Sequence, residues 1–117
     1  MSTPHQDSEE LIPNPPLTTA ALRAAVAQIA LAYLSLFVAH LDQATEQAAR
    51  QSTVAPLQNF LQQWGGFVAI QRYPARAARL HALETEVATA TDRVKLDSAL
   101  AEINEITASA RREVVGE

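Results

Sequence analysis

The sequence predicts an all-α fold, a small bundle of four to five helices behind a disordered proline-rich N-terminal arm. Three observations predict it. Alanine supplies 23 of the 117 residues against three glycines and six aromatics, whereas a sheet would want β-branched and aromatic faces with Gly/Asn turns between strands. Beyond residue 17 the apolar residues recur at alternating three- and four-residue steps, the spacing of one helix face. Four of the six prolines fall within the first sixteen residues, leaving only Pro56 and Pro74 to divide the rest. Hydrophobic residues make up 48% and the net charge is −4, values of a globular chain rather than a disordered one. The chain therefore divides into an arm over 1–16 and a single helical domain over 17–117.

The arm, MSTPHQDSEELIPNPP, cannot hold a helix or strand, because each proline removes a donor and restricts the residue before it. It is expected to bury little, so that its removal leaves the domain's stability almost unchanged. It lacks the basic start and apolar stretch of a secretory leader, and a cytoplasmic location is expected.

The first helical piece, about 18–51, opens at Thr18-Thr19 as an N-cap. It carries a stripe of Leu22, Val26, Ile29, Tyr33, Leu36 or Phe37, His40 and Ala44. Its length is compatible with a bend near Ala30–Leu34. The second, about 54–73, has Ser52 or Thr53 as cap and Pro56 in the first turn, where its missing N–H costs nothing. Gly65-Gly66 inside this helix marks a kink or the close approach of another backbone. The third piece begins at Pro74 and changes phase. Leu80, Leu83, Val87, Ala90 and Val94 follow one register, while Leu96, Leu100, Ile103, Thr107, Ala110 and Val114 follow another. The change predicts a break at Thr91-Asp92 and two helices, about 75–89 and 92–115. Phe60, Leu61, Trp64 and Phe67, with Leu34, Leu36 and Phe37, are the expected core.

Residues 24–41 carry no formal charge, which raises the question of a membrane span. Six of them are alanine, and Gln28, Ser35 and His40 interrupt the rest. A buried central helix is the better reading, because a span needs about 20 predominantly apolar residues.

Chemistry is poorly represented. Without cysteine there is no disulfide, thiol nucleophile or cysteine zinc site. His81 and Glu84 are three apart on a helix, yet no third ligand accompanies them, and His40 and Asp42 point apart on theirs. Ser35 lies in an apolar helix rather than on a strained turn, and no phosphate-binding glycine loop is present. No catalytic residue, metal or cofactor is assigned, and an enzyme is not expected.

Partners are the better expectation. No acid occurs between Glu46 and Glu84, and Arg72, Arg76 and Arg79 there could form one phosphate-contacting face. A solvated face balanced by Glu84 and Glu86 is the plainer alternative, and nucleic acid is disfavoured by the acidic balance. Leu96, Leu100, Ile103, Ala110 and Val114 form a C-terminal stripe that could lie in a partner's groove or fold back onto the core; folding back is the default. Ile29, Leu31, Leu34, Phe37 and Val38, with Leu36, cannot all point into one bundle interior, because consecutive helical positions spread around the axis. A homodimer packed through residues 29–38 follows.

Three segments, LIPNPPLTTAALRAAVAQIA, STVAPLQNFLQQW and IQRYPARAARLHALE, give the chain a resemblance to a family of small actinobacterial proteins of unknown function. Its pattern is a proline-rich arm, an ALRAAVA helix, a SLAPL…F…W helix and an ERxPxxAAR segment. The resemblance spans about residues 11–86. Gln71-Arg72 stands here in place of the usual acid–base pair before proline. Leu31 stands where the pattern has a helix-breaking proline, which implies one continuous first helix in this chain. Some members look to be encoded beside small toxin-like genes. That implies by association an antitoxin-like or regulatory partner, and it carries no functional residues across. The expected function is thus a non-enzymatic protein-interaction or regulatory module, with a homo-oligomeric structural protein as the alternative and a nucleic-acid-binding regulator after it.

Overall fold

The computed structural model describes residues 9–114, and they form five α-helices and one 3-10 turn. Helix α1 runs Thr19–Ile29, and the turn over Leu31–Tyr33 leads into α2, Leu34–Gln51. Helices α3 (Ala55–Gln71), α4 (Pro74–Thr89) and α5 (Arg93–Val114) follow. Helix α3 is the hub, touching α1, α2, α4 and α5.

Local signals account for most boundaries. The Thr18 hydroxyl accepts from the Ala21 N–H at 3.1 Å and opens α1. Pro56 and Pro74 each lie in a first turn. Asp92 caps α5, its carboxylate accepting from the Val94 N–H at 3.2 Å, so the phase change in the third piece is a true break. Ser52 plays a different part from the one expected. It closes α2 in a left-handed conformation (φ 54°), and Thr53 accepts from the Ala55 N–H at the mouth of α3.

Two expectations are corrected. The first helix is not continuous, although Leu31 in place of a proline implied that it would be; it breaks inside the Ala30–Leu34 stretch where its length allowed a bend. At Ala30 (φ −150°, ψ 55°) the chain leaves the helix, its N–H still bonded to Val26 O, and turns through Leu31–Tyr33. No breaking residue stands there; the break is set by packing, because α1 and α2 both lie on α3 and the Tyr33 ring turns onto Phe67 at 5.0 Å. The arm, where it is described, is not idle. Residues 9–16 are without helix or strand, as their prolines dictate, yet they strap the corner between α3 and α4. The Leu11 N–H donates to Arg72 O at 2.7 Å, Ile12 is buried in the core, and Asn14 donates to Glu113 O at 3.3 Å. Residues 1–8 and 115–117, with His5 among them, lie outside the described part.

The core runs along α3. Phe37 is fully buried against Phe60 and Trp64, with ring centroids 5.1 and 5.2 Å away in edge-on geometry. Leu22 and Val26 close it from α1, and Leu34, Leu61 and Phe67 pack at its margin. Leu36, expected in this core, is 46% exposed; it lies one helical step from Phe37 and so faces outward. A second cluster joins Ala69 and Ile70 to Ala110, with Leu80, Ile106 and Val114 beside them. Among the described residues no helix is long and apolar enough to cross a membrane.

Candidate interaction surface

The arginines come first, since the sequence offers them as phosphate contacts. Arg72 is the one buried charged residue among the described residues, at 5% exposure, and it is held between carboxylates of its own chain. It pairs with Glu10 of the arm and, at 3.2 Å, with Glu113 of α5. Arg76 reaches Glu113 at 2.8 Å and donates to Ala69 O at 2.9 Å. Both guanidiniums lie over the Tyr73 ring, 4.6 and 4.5 Å from its centroid. Arg79 grips Glu102 with two bonds of 2.7 Å. That bond draws Glu102 below the ordinary carboxylate range, against a smaller desolvation effect, and raises Arg79 in turn. The three arginines knit the arm, α4 and α5 together, and their balancing acids are Glu10, Glu113 and Glu102 rather than Glu84 and Glu86.

The C-terminal stripe folds back. Ala99 and Ala110 are buried, Leu96, Ile103 and Val114 are half-buried, and α5 lies along α3 and α4. Of the candidate partner-binding residues only Leu100, at 41%, is exposed. Ala99 and Ile106, absent from the sequence-derived stripe, complete the inward face.

Residues 29–38 divide. Phe37 is core, and Ile29 and Leu34 pack at its edge, so these three are used within the chain. Leu31 (67%), Tyr33 (47%), Leu36 (46%) and Val38 (39%) are exposed, half of the eight large exposed hydrophobics of the described chain within eight residues. The other four, Leu11, Val54, Val94 and Leu100, are scattered. Ala32, Ser35 and Ala39, all exposed, follow a three-then-four spacing and share one face. At roughly 100° per residue in α2, Leu36 flanks that face on one side and Val38 on the other, and Leu31 precedes it in the 3-10 turn. In its side-chain pattern this face is a trough, with small residues along the middle and larger apolar side chains at the sides.

A second apolar feature adjoins it through the Tyr33–Phe67 ring contact. Between α3 and α5 opens a groove of about 450 Å³. Its floor is Gly66, Phe67, Ile70, Ala110 and Val114. Asn59, Gln62, Gln63 and Thr107 supply uncharged polar groups, and Arg111 is the one charged residue among the described residues that line it. All of α3 is uncharged: no Asp, Glu, Lys or Arg occurs from 51 to 71, nor from 24 to 41. Paired charge-free stretches on neighbouring helices were readable from the sequence, and they point to this face more directly than the apolar stripe does.

Beyond the groove, His40 accepts a hydrogen bond at Nδ1 from Trp64 Nε1–H at 3.3 Å, so it anchors α2 to α3. His81 and Glu84 are exposed on α4, and among the described residues no three His, Asp or Glu side chains gather as a metal site would require. No family model, curated relative or solved structure matches the chain.

Proposed function

We propose that the protein is a non-enzymatic helical interaction module that pairs with a second copy of itself through the face made by Leu31, Ala32, Ser35, Leu36, Val38 and Ala39. The observation that carries this reading is the concentration of exposed apolar side chains in residues 31–38 within a charge-free stretch. The cores of protein interfaces are depleted of charge and enriched in apolar and aromatic groups, and a contiguous apolar patch on a small domain marks a contact surface. Small residues along the centre let two helix backbones approach closely.

The charges choose the orientation. Asp42 and Glu46 follow the trough on the same exposed face of α2. A parallel pairing would set Asp42 against its own copy. An antiparallel two-fold crossing centred near Ser35 sets the two Asp42 carboxylates on opposite sides of the two-fold, about 20 Å apart at 1.5 Å per residue, so the contact avoids that repulsion and is self-complementary. A regulatory, antitoxin-like role for the dimer follows from the resemblance in the sequence, which associates such chains with small toxin-like genes.

Hydrogen exchange measured at low and at high micromolar concentration tests the pairing. Amides over 31–41 gain protection at the higher concentration while those of α4 stay unchanged. Exchange over 31–41 that is independent of concentration contradicts it.

A further inference from the structure

The groove between α3 and α5 is separate from the trough and has a chemistry of its own. Its apolar floor is open at Gly66, where an added Cβ would meet nothing within 4 Å. The neighbouring Gly65 is closed by Leu17 and Val114. The vacancy therefore lies on one side of α3 only. Around the floor stand amides that can donate or accept, and one cation. Arg111 is exposed and makes no ion pair among the described residues, whereas Arg72, Arg76 and Arg79 all spend their charge inside the chain. Arg112, its exposed neighbour, is likewise without an ion pair among them. The end of the groove is thus apolar below and positive at its lip.

We infer that this groove receives an amphipathic helix of a partner protein, laid with its apolar face on Phe67, Ile70 and Val114 and with an acidic side chain at Arg111. A helix in a groove between two others is a recurrent mode of recognition, read through anchors on successive turns. Arg111, in the last turn of α5 and without an ion pair among the described residues, supplies the charge complementarity that selects an acidic partner over a basic one. This deepens the interaction-module reading by naming the partner's chemistry, but it does not need the trough, because the groove uses none of residues 31–39.

The test is a titration, followed by fluorescence anisotropy, with two synthetic amphipathic helices. Both carry leucines along one face; one has a single glutamate beside them and its twin has lysine at that position. Wild type prefers the glutamate peptide by about fivefold, the scale of one ion pair at a rim. Arg111→Glu reverses the preference. Gly66→Leu, which fills open space and suits a helix, weakens both peptides by about tenfold or more, with its melting transition confirming the fold. Ser35→Asp, which breaks the proposed self-pairing, leaves peptide binding unchanged, so the groove and the dimer stand or fall separately. The inference is overturned if wild type binds neither peptide, if it binds the twins equally, or if Gly66→Leu binds as wild type does. Concentration-dependent protection of the groove without peptide binding would also overturn it, by placing a second copy there.

Discussion

Gly65 and Gly66 stand side by side in α3 with opposite surroundings, and they show how far a single residue can be read from its type. Both lack a Cβ, and each costs the helix about 1 kcal/mol relative to alanine. At Gly65 a Cβ would fall 2.7 Å from Leu17 Cδ1 and 3.1 Å from Val114 Cγ1, so the glycine is there for close approach. At Gly66 the space is empty. Gly66→Ala should stabilise the protein by about 1 kcal/mol, while Gly65→Ala gains less, because Leu17 and Val114 must yield. Equal shifts in thermal melting would show that neither side chain presses on Gly65. The sequence offered a kink and a close approach as alternatives for this pair; the distinction depended on which chain segments arrive on either side of α3, and local pattern carries no such information. The same holds for Arg72. Its spacing from Arg76 and Arg79 was visible, but its carboxylates lie 62 and 41 residues away in the chain.

At the scale of the element, the helix boundaries governed by proline and by capping side chains were legible, and those governed by packing were not. Thr18, Pro56, Pro74 and Asp92 act locally and could be read. The break at Ala30 has no breaking residue: only the length of the piece pointed to a bend near Ala30–Leu34, while Leu31 argued for a continuous helix. The arm is the clearest case. Its prolines correctly forbid regular structure, but they say nothing about docking, which depends on Glu10 meeting Arg72 and on Ile12 finding the core. Removing residues 1–12 should therefore cost about 2–4 kcal/mol, combining the burial of Ile12 with the loss of one partner of a buried guanidinium. A chemical denaturation midpoint unchanged by the truncation would contradict the docked arm. The tie between α4 and α5 gives a pH signature. Glu102 is held low by the hydrogen bond from Arg79, so the folded protein releases this proton more readily than the unfolded chain does. Its stabilisation is complete above the unfolded value and fades as pH falls through the folded one. Glu102→Gln should flatten the acid limb of a melting-temperature profile below about pH 4, and an acid limb identical to wild type would show that the pair is idle in solution.

The whole molecule is a bundle whose charges have been cleared from two adjoining stretches of surface. Inside the chain, ion pairs bind arm, α4 and α5, and the aromatic cluster of Phe37, Phe60 and Trp64 binds α2 to α3. What these leave over is the trough at residues 31–39 and the groove beside α5. The sequence anticipated the first of these by an argument of capacity, that one helix bore more apolar side chains than a bundle interior accepts. It set Leu34 and Phe37 both in the core and on that surface, and Ile29 on the surface, because stripe counting cannot decide which arc of an all-apolar helix turns inward; all three pack within the chain. Self-pairing through the trough is tested most directly by one substitution at its centre. Ser35 is exposed in the first turn of α2, where an acidic side chain suits the helix end, so Ser35→Asp should leave the fold intact while setting two like charges against each other across the two-fold. Sedimentation equilibrium at micromolar concentration should give wild type at twice the chain mass of 12.7 kDa and Ser35→Asp at the monomer mass. A wild-type protein that sediments as a monomer, or a Ser35→Asp variant that remains a dimer, would contradict the account.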